Sequence, residues 1–507
     1  MVLKMEIQSS LHLLEQMHYE LAHDEMREPY IRVTVDGKKM LFKLRGEEFK
    51  RFFNYHYIRN NSNSPDAKLI KDTLAYLDGR AIFEGEMIDP DVRIVGDTDL
   101  LEIDLCDPSY RVVQVSTEGF QVCQSEGYFL RRHGQLPLPQ PELMTPGEIF
   151  AAMNDFKAIL NVSDEQFILV MGVILMGFHP EGPYPVMFVQ GEHGSAKGSL
   201  CEAIKSVVDP NTTPHTALPA NAPDLLIQAR SNRVLSFDNL SEYTFNKKHS
   251  DLFAQMATGV GLRRRQLYTD DGESVINVSR MILMNGIDDV VTQSDLGSRT
   301  IGLRLEPVNE SNRISKREFK RRLSEVGPRM FSAVVNILSD ILRNYDSTDI
   351  RSGARMFDMI QWVTAGESAM GWESGTFQRV YERNQLEVME AGMGSDPLAA
   401  AIIRYMEGKP RWEGSISRLL ACLIAGTDRG MRSGPHWPRN AISLGRALNR
   451  IETNLRALGI SVIRGGRSAT ERTVTIINAN MPQPDMQSES VVYAANERGP
   501  EQGGEAA

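Results

Sequence analysis

The chain has 507 residues, 41% hydrophobic and 24% charged, an ordinary globular composition too long for one core, so two to four domains are expected. A net charge of −10 excludes a protein that coats nucleic acid over its whole surface, while allowing a local basic face. Cys106, Cys123, Cys201 and Cys422 show no CxxC or metal spacing and read as reduced thiols of a cytoplasmic protein. No signal peptide is visible, and the most apolar run, Phe167–Phe178, is 12 residues, too short to span a bilayer, so no membrane partner is expected.

In chain order, residues 1–142 read as an α+β domain. Tyr30–Val35 and Lys39–Lys43 flank Asp36-Gly37, a hairpin signal, and Leu100–Leu105, Tyr110–Val115 and Gly119–Val122 read as a small β meander. Leu136–Pro141 (LPLPQP) is a proline-rich break and marks a boundary. Over 143–325, apolar strands alternate with helical stretches, the pattern of a parallel α/β sheet. A basic helix is expected around Arg313–Arg322, a helical domain over 326–428, a compact module over 429–480 and a disordered tail over 481–507. No internal repeat is visible.

The central stretch carries the chemistry. Met187–Gln190 is a strand, Gly191 and Gly194 allow a turn whose N–H groups can face an anion, and Leu200, Ala203 and Ile204 open a helix whose N-terminus favours that anion. Gly191, Gly194, Ser195, Ala196, Lys197, Gly198 and Ser199 therefore form a candidate phosphate loop, with Lys197 reaching the β and γ phosphates. Two positions depart from the standard spacing. Ala196 stands where a glycine is usual, which is compatible with a tight turn if its backbone angles are ordinary. Gly198 stands where a hydroxyl usually binds Mg²⁺, and Ser199, one residue late, could supply one directly or through water. The plain alternative is a strand-to-helix turn with a surface lysine.

Further signals follow in order. RVLSFDN (233–239) is a short strand ending in Asp238, a candidate to orient Mg²⁺, and otherwise a capped strand end. RMILMNG (280–286) is a buried strand ending in Asn285, and beside the loop strand it would bring an amide near the γ-phosphate. DLGSRT (295–300) offers Arg299 as an arginine finger, or as a salt-bridged arginine. His193 reads as a solvent-facing loop residue, and the methionines as packing.

With these elements the sequence resembles the superfamily 3 helicase branch of AAA+ ATPases, and more closely the primase-helicase-type proteins of phages and bacterial mobile elements. GEHGSAKGSL (191–200), VDPNTTPHTALP (208–219), VLSFDNLS (234–241), FAQMATGVGLRRRQLYTDDGE (253–273), MILMNGI (281–287), DLGSRTI (295–301) and the segment 354–377 carry the likeness. The resemblance implies a P-loop AAA+ ATPase core that binds ATP and Mg²⁺ at the seam of a homo-oligomer, a hexameric or similar ring. Lys197 would contact phosphate, Asp238 would help hold Mg²⁺, Asn285 would be the sensor, and Arg299 would act on a neighbour's site. It also implies a DNA-touching hairpin, so Arg263 and Arg265, on one face of a strand, would meet single-stranded DNA in the pore. A solvated turn pairing with Asp270, Asp271 and Glu273 is the other reading. Asn239, where many AAA+ members have a catalytic Glu, can position water but cannot take its proton. Hydrolysis is therefore less secure than binding, and a nucleotide-responsive DNA-binding scaffold, or a defence or regulatory ATPase, stays open.

At the C-terminus, Leu444, Leu448, Ile451, Leu455 and Leu458 line one helix face and Gly459 ends it; SVIR (461–464) and TVTII (473–477) frame a hairpin. Helices followed by a two-stranded hairpin make a winged helix. In 439–477 seven arginines face two glutamates, a local charge of +5, so Arg446, Arg450 and Arg467 are candidates to meet duplex DNA, with a protein-contact role as the alternative.

Overall fold

Asp36 and Gly37 turn the chain with φ of 50° and 75°, and the strands Pro29–Val35 and Lys38–Lys43 pair antiparallel around them as expected. That hairpin belongs to a computed structural model describing residues 11–259, 262–265, 273–276, 278–394, 396–428, 432, 437–467 and 472–481. The expected tail lies outside the described residues beyond Met481. The chain divides into two units, each packed mainly on itself, Met1–Val388 and Met389–Ala507. Among the described residues no helix is long and apolar enough to cross a membrane.

In the first unit, the hairpin, Tyr19–His23 and Glu86–Met87 form one sheet. The helices Glu47–Asn61 and Ala67–Glu84 cover it, burying Phe49, Phe53, Leu69 and Leu77 against Ile31 and Val33. The meander follows as Ile94–Gly96, Leu100–Asp104, Arg111–Ser116 and Gly119–Gln124. Its buried face, with Leu101, Ile103 and Val113, joins the same core as Val170, Leu200, Phe331 and Trp362. The proline-rich run is pinned rather than free: Leu136 N–H donates to Pro210 O at 2.9 Å and Leu138 N–H to Leu105 O at 2.9 Å. The apolar residue at 138 explains this, since Leu138 is buried and a linker would leave it in water.

The central sheet is parallel, in the order Val234–Leu240, Met281–Gly286, Val186–Gly191, Thr300–Leu305. Its strands are mostly apolar, with polar residues such as Asp238 and Asn285 toward their C-terminal ends, because both faces are largely covered. Helix Asp164–Gly177, capped by Ser163 and Gln166, is buried at every position from 169 to 177, as its unbroken apolar run requires. The helix Lys316–Asn344 runs through Pro328, and its Phe331, Val334 and Leu338 share that core, as do residues up to Tyr381. The helical segment after 326 is therefore continuous with the sheet's core up to that point.

In the second unit, helices Pro397–Met406, Ile416–Ala425 and Ala441–Ala457 pack on an antiparallel sheet ordered Arg411–Ser415, Arg472–Asn478, Ile460–Arg467. Leu398, Ile402 and Leu419 share one core with Leu444, Leu448, Leu455, Val474 and Ile476. The first two helices, grouped by sequence with 326–428, pack here because the leucine face of Ala441–Ala457 needs partners and a hairpin alone cannot supply them. The expected hairpin gains a third strand, Arg411–Ser415, which WEGS with its glycine did not advertise.

Candidate functional site

The loop after Val186–Gly191 emerges at the C-terminal ends of the parallel strands, beside the point where strand order reverses, a place where such sheets present ligands. It is held from several sides. Asn161 Nδ2 donates to Ser195 O at 3.1 Å and to Glu306 O at 2.7 Å, Val308 N–H donates to Gly194 O at 3.2 Å, and the buried Ser195 Oγ donates to Glu192 O at 2.9 Å. Gly191 is required by space: a Cβ there would lie 2.6 Å from Leu305 O and from Ser195 Oγ. We expect Gly191→Ala to lower unfolding free energy by about 1–3 kcal/mol, because the nearest obstacle is backbone. Denaturant titration checks this, and an unchanged midpoint would contradict it.

Ala196 does not have ordinary angles. It sits in the left-handed region (φ 63°, ψ 26°), where a side chain costs about 1–2 kcal/mol and glycine costs nothing sterically. The turn is thus tight at the expense of local strain. Helix Lys197–Val208 begins at the next residue, so its free N–H groups face the cavity.

Lys197 Nζ donates to Gly191 O and Glu192 O, each at 2.7 Å. Partial burial holds its ammonium below the usual lysine range, and Asp238 opposes that shift. Asp238 is exposed to the same cavity of about 1240 Å³, which is also lined by Gly198, Ser199, His215, Asn285 and Arg313. Asn285 is buried beside the loop strand, in register with Val189, and its Oδ1 accepts from Asn239 N–H at 3.2 Å. The structure therefore gathers the loop, Lys197, Ser199, Asp238 and Asn285 around one space.

Arg299 lies apart from that group. It is 4% exposed, and its Nη1 donates to Asp295 Oδ1 at 2.6 Å, which also accepts from Arg355 Nη1 at 3.0 Å. In this chain it is a buried, paired arginine. Arg263 and Arg265 lie on the strand Leu262–Arg265, opposite Val275 and Glu273 of Glu273–Ile276; their side chains lie outside the described residues. In the second unit Arg446 is exposed on its helix, while the side chains of Arg450 and Arg467 lie outside the described residues. Arg456 and Arg464 are tied to Glu452 at 3.1 and 2.9 Å, which reduces the free positive charge of that face.

Two cavity residues had no role in the sequence reading. Arg313 places Nη2 3.2 Å from where a Cβ on Gly194 would be, covering the loop from within the chain. It lay in the segment read only as a basic helix. His215 is held by the strand Val234–Leu240: Thr216 bridges Phe237, Thr216 N–H donates to Ser236 O at 2.9 Å, and His215 Nδ1 lies 2.8 Å from Ser236 Oγ. Burial pulls its pKa below the usual histidine value, against Asp238, Glu202 and a hydrogen bond with the Gly198 backbone. A lone histidine after a proline gave no periodic signal, and only the missing hydroxyl at 198 could have drawn attention to it.

A cation beside Asp238 fits this donor set. Among the described residues no three His, Cys, Asp or Glu side chains converge on a metal position, so one carboxylate would leave most ligands to phosphate and water, the manner in which Mg²⁺ is usually held.

Comparison with known proteins adds likenesses. Two solved apo structures of the NrS-1 C-terminal region are similar to this chain at 10% identity. One, in an A form, has a TM-score of 0.40 and covers 92% of this chain and 98% of that one; the other has a TM-score of 0.39 and covers 94% and 99%. No individually curated protein matches the chain. Residues 155–381 match the actinomycete integrative conjugative element replication protein family, and residues 398–490 match the AICE RepA C-terminal domain. The first match spans the loop and the parallel sheet, and the second spans the core of the second unit. Both lie in this chain in that order, so two of its segments are similar to replication-protein domains of actinomycete integrative conjugative elements.

Proposed function

We propose that this replication protein is a helicase-type ATPase of P-loop AAA+ architecture that binds ATP with Mg²⁺ and acts on DNA, in a ring of identical chains. One observation carries the reading: Lys197 heads a helix behind a glycine turn, with Asn285 near the end of the adjacent strand and Asp238 near the end of the strand beyond it, all lining the same cavity. A triphosphate there would exchange the neutral carbonyls at Lys197 Nζ for charged oxygens, a stronger pairing. Arg313 would add a second positive group from the same chain. Bound Mg²⁺ supplies charge neutralisation and orientation of the phosphates. Asp238 orients its water shell. Asn239 and Asn285, joined by the bond from Asn239 N–H to Asn285 Oδ1, would place the attacking water without accepting its proton.

Arg299 acts on a neighbour's phosphate in this reading only if its pair with Asp295 opens on assembly. The described helices and three-stranded sheet of the second unit support reading it as a winged helix, and the exposed Arg446 suits duplex phosphate. Single-stranded DNA would meet the hairpin that carries Arg263 and Arg265.

Gly198 favours a second reading, a DNA-binding scaffold that responds to nucleotide and scarcely turns it over. Measuring ATP binding and DNA-stimulated phosphate release for the unmodified chain and Gly198→Ser separates the two. The motor predicts turnover in the unmodified chain, reduced by Arg299→Ala without loss of ATP binding. Turnover that appears only in Gly198→Ser would select the scaffold, and no affinity for ATP in any variant would remove both.

A further inference from the structure

The glycine at 198 leaves a gap, and the structure shows what borders it. A Cβ built on Gly198 would have two heavy atoms of other residues at contact range, Asp238 Oδ1 and His215 Nε2, each at 4.0 Å. That is ordinary van der Waals contact, so the space of one side-chain atom is open, with an acidic oxygen on one side and an imidazole nitrogen on the other. The imidazole is fixed on its far side, where Nδ1 lies 2.8 Å from Ser236 Oγ, so a water at Nε2 would share that nitrogen with the Gly198 backbone. Its backbone is fixed too, because Thr216 bridges Phe237 and Asp238 N–H donates to Thr216 O at 3.3 Å. The strand that carries Asp238 therefore also positions His215.

A water molecule needs room and two or more polar partners to be ordered. The Gly198 gap supplies both: the space of the absent side chain, Asp238 Oδ1 and His215 Nε2. Metal sites commonly orient their ligands through such outer contacts, and losing one costs about 10–100-fold in metal affinity.

We propose that His215 is a positioning residue for the divalent cation of this nucleotide site: its Nε2 and Asp238 hold, in the space left by Gly198, a metal-bound water that takes the place of the side-chain hydroxyl. The inference rests on the nucleotide site proposed above. It goes further by making the loss at 198 and the histidine at 215 two halves of one exchange. No bond is made or broken; a water oxygen replaces a serine or threonine oxygen in the cation's shell.

The test reads binding. The affinity of the full chain for a fluorescent ADP is measured with Mg²⁺, with Mn²⁺ and with EDTA. In the unmodified chain both metals should tighten binding. His215→Ala should lose about tenfold of that metal-dependent gain and keep its affinity in EDTA. Adding Gly198→Ser to His215→Ala should restore the gain, because the hydroxyl no longer needs the held water. The helical backbone at 198 and its 4.0 Å clearances admit a serine. His215→Gln, whose amide can also hold water, should retain more of the gain than His215→Ala.

The inference is overturned if His215→Ala keeps the full metal-dependent gain. It is equally overturned if affinity falls alike with metal and with EDTA, since that marks a general structural role, or if Gly198→Ser gives no recovery. An unmodified chain with no affinity for ADP under any condition sinks the nucleotide site itself and this inference with it; the other outcomes leave the site standing.

Discussion

Lys197→Ala should reduce ATP turnover by about 10²-fold or more, and ATP affinity along with it, while the fold survives. The side chain stands at the first turn of the helix Lys197–Val208, and its ammonium faces a cavity rather than the core. Its hydrogen bonds go to Gly191 O and Glu192 O, acceptors the loop can leave to water. The loop keeps its other ties, through Asn161, Val308 and Ser195, so the turn should persist without the lysine. Lys197→Arg sharpens the test. A planar guanidinium keeps the charge but cannot occupy the same compact position between two carbonyls, so it should recover affinity in part and turnover far less. Isothermal titration with ATP and Mg²⁺, paired with phosphate release, measures both. If Lys197→Ala binds and hydrolyses ATP as the unmodified chain does, the loop is only a strand-to-helix turn.

The residues of that loop were legible in sequence because each has a local reason: glycines for the turn, an apolar strand before it, an apolar helix face after it. Asn285 was legible for the same kind of reason, since a buried strand ending in an amide has few places to go in a parallel sheet. The strand does lie beside Val186–Gly191. Arg299 shows the limit. A sequence gives its spacing from the strand ends, but not that Asp295, four residues earlier, holds its head inside the chain. His215 and Arg313 were not singled out for another reason. Their places at the cavity depend on which loops cross the strand ends, and no periodicity records that. A composition break need not coincide with a break in the core. LPLPQP looks like a linker, yet Leu138 packs in the core and the run is hydrogen-bonded at Leu136 and Leu138. Likewise, a helical pattern over 326–428 cannot say where one core ends. The leucines of 398–419 join the C-terminal core, and the residues up to Tyr381 join the sheet.

Asp209→Ala should destabilise the first unit by about 3–5 kcal/mol, the cost of leaving buried cations without their counter-ion. Asp209 ends the helix that begins at Lys197, and its side chain is fully buried. Arg93 of the meander, equally buried, approaches it at 3.3 Å, and Lys205 lies at 3.3 Å one helical turn before it. The N–H groups of Arg233 and Val234 donate to its Oδ2 at 3.0 and 3.2 Å, so the same carboxylate fixes the start of the strand that carries Asp238. Burial alone would raise the Asp209 pKa, but Lys205, Arg93 and the Val234 N–H outweigh it and hold the carboxyl below its usual range. A depressed carboxyl contributes stability in full above its unfolded pKa of about 3.9, and that contribution is lost as pH falls through the lower folded value. The variant should therefore show a lower denaturation midpoint near neutral pH, and a smaller fall in stability below about pH 4 than the unmodified chain. Arg93→Met should be milder than Asp209→Ala, because Lys205 and two backbone donors still satisfy the carboxylate. Denaturant titrations at neutral pH and at about pH 3 test both points. Equal midpoints for Asp209→Ala and the unmodified chain would mean that the meander and the Lys197 helix are joined by apolar packing alone.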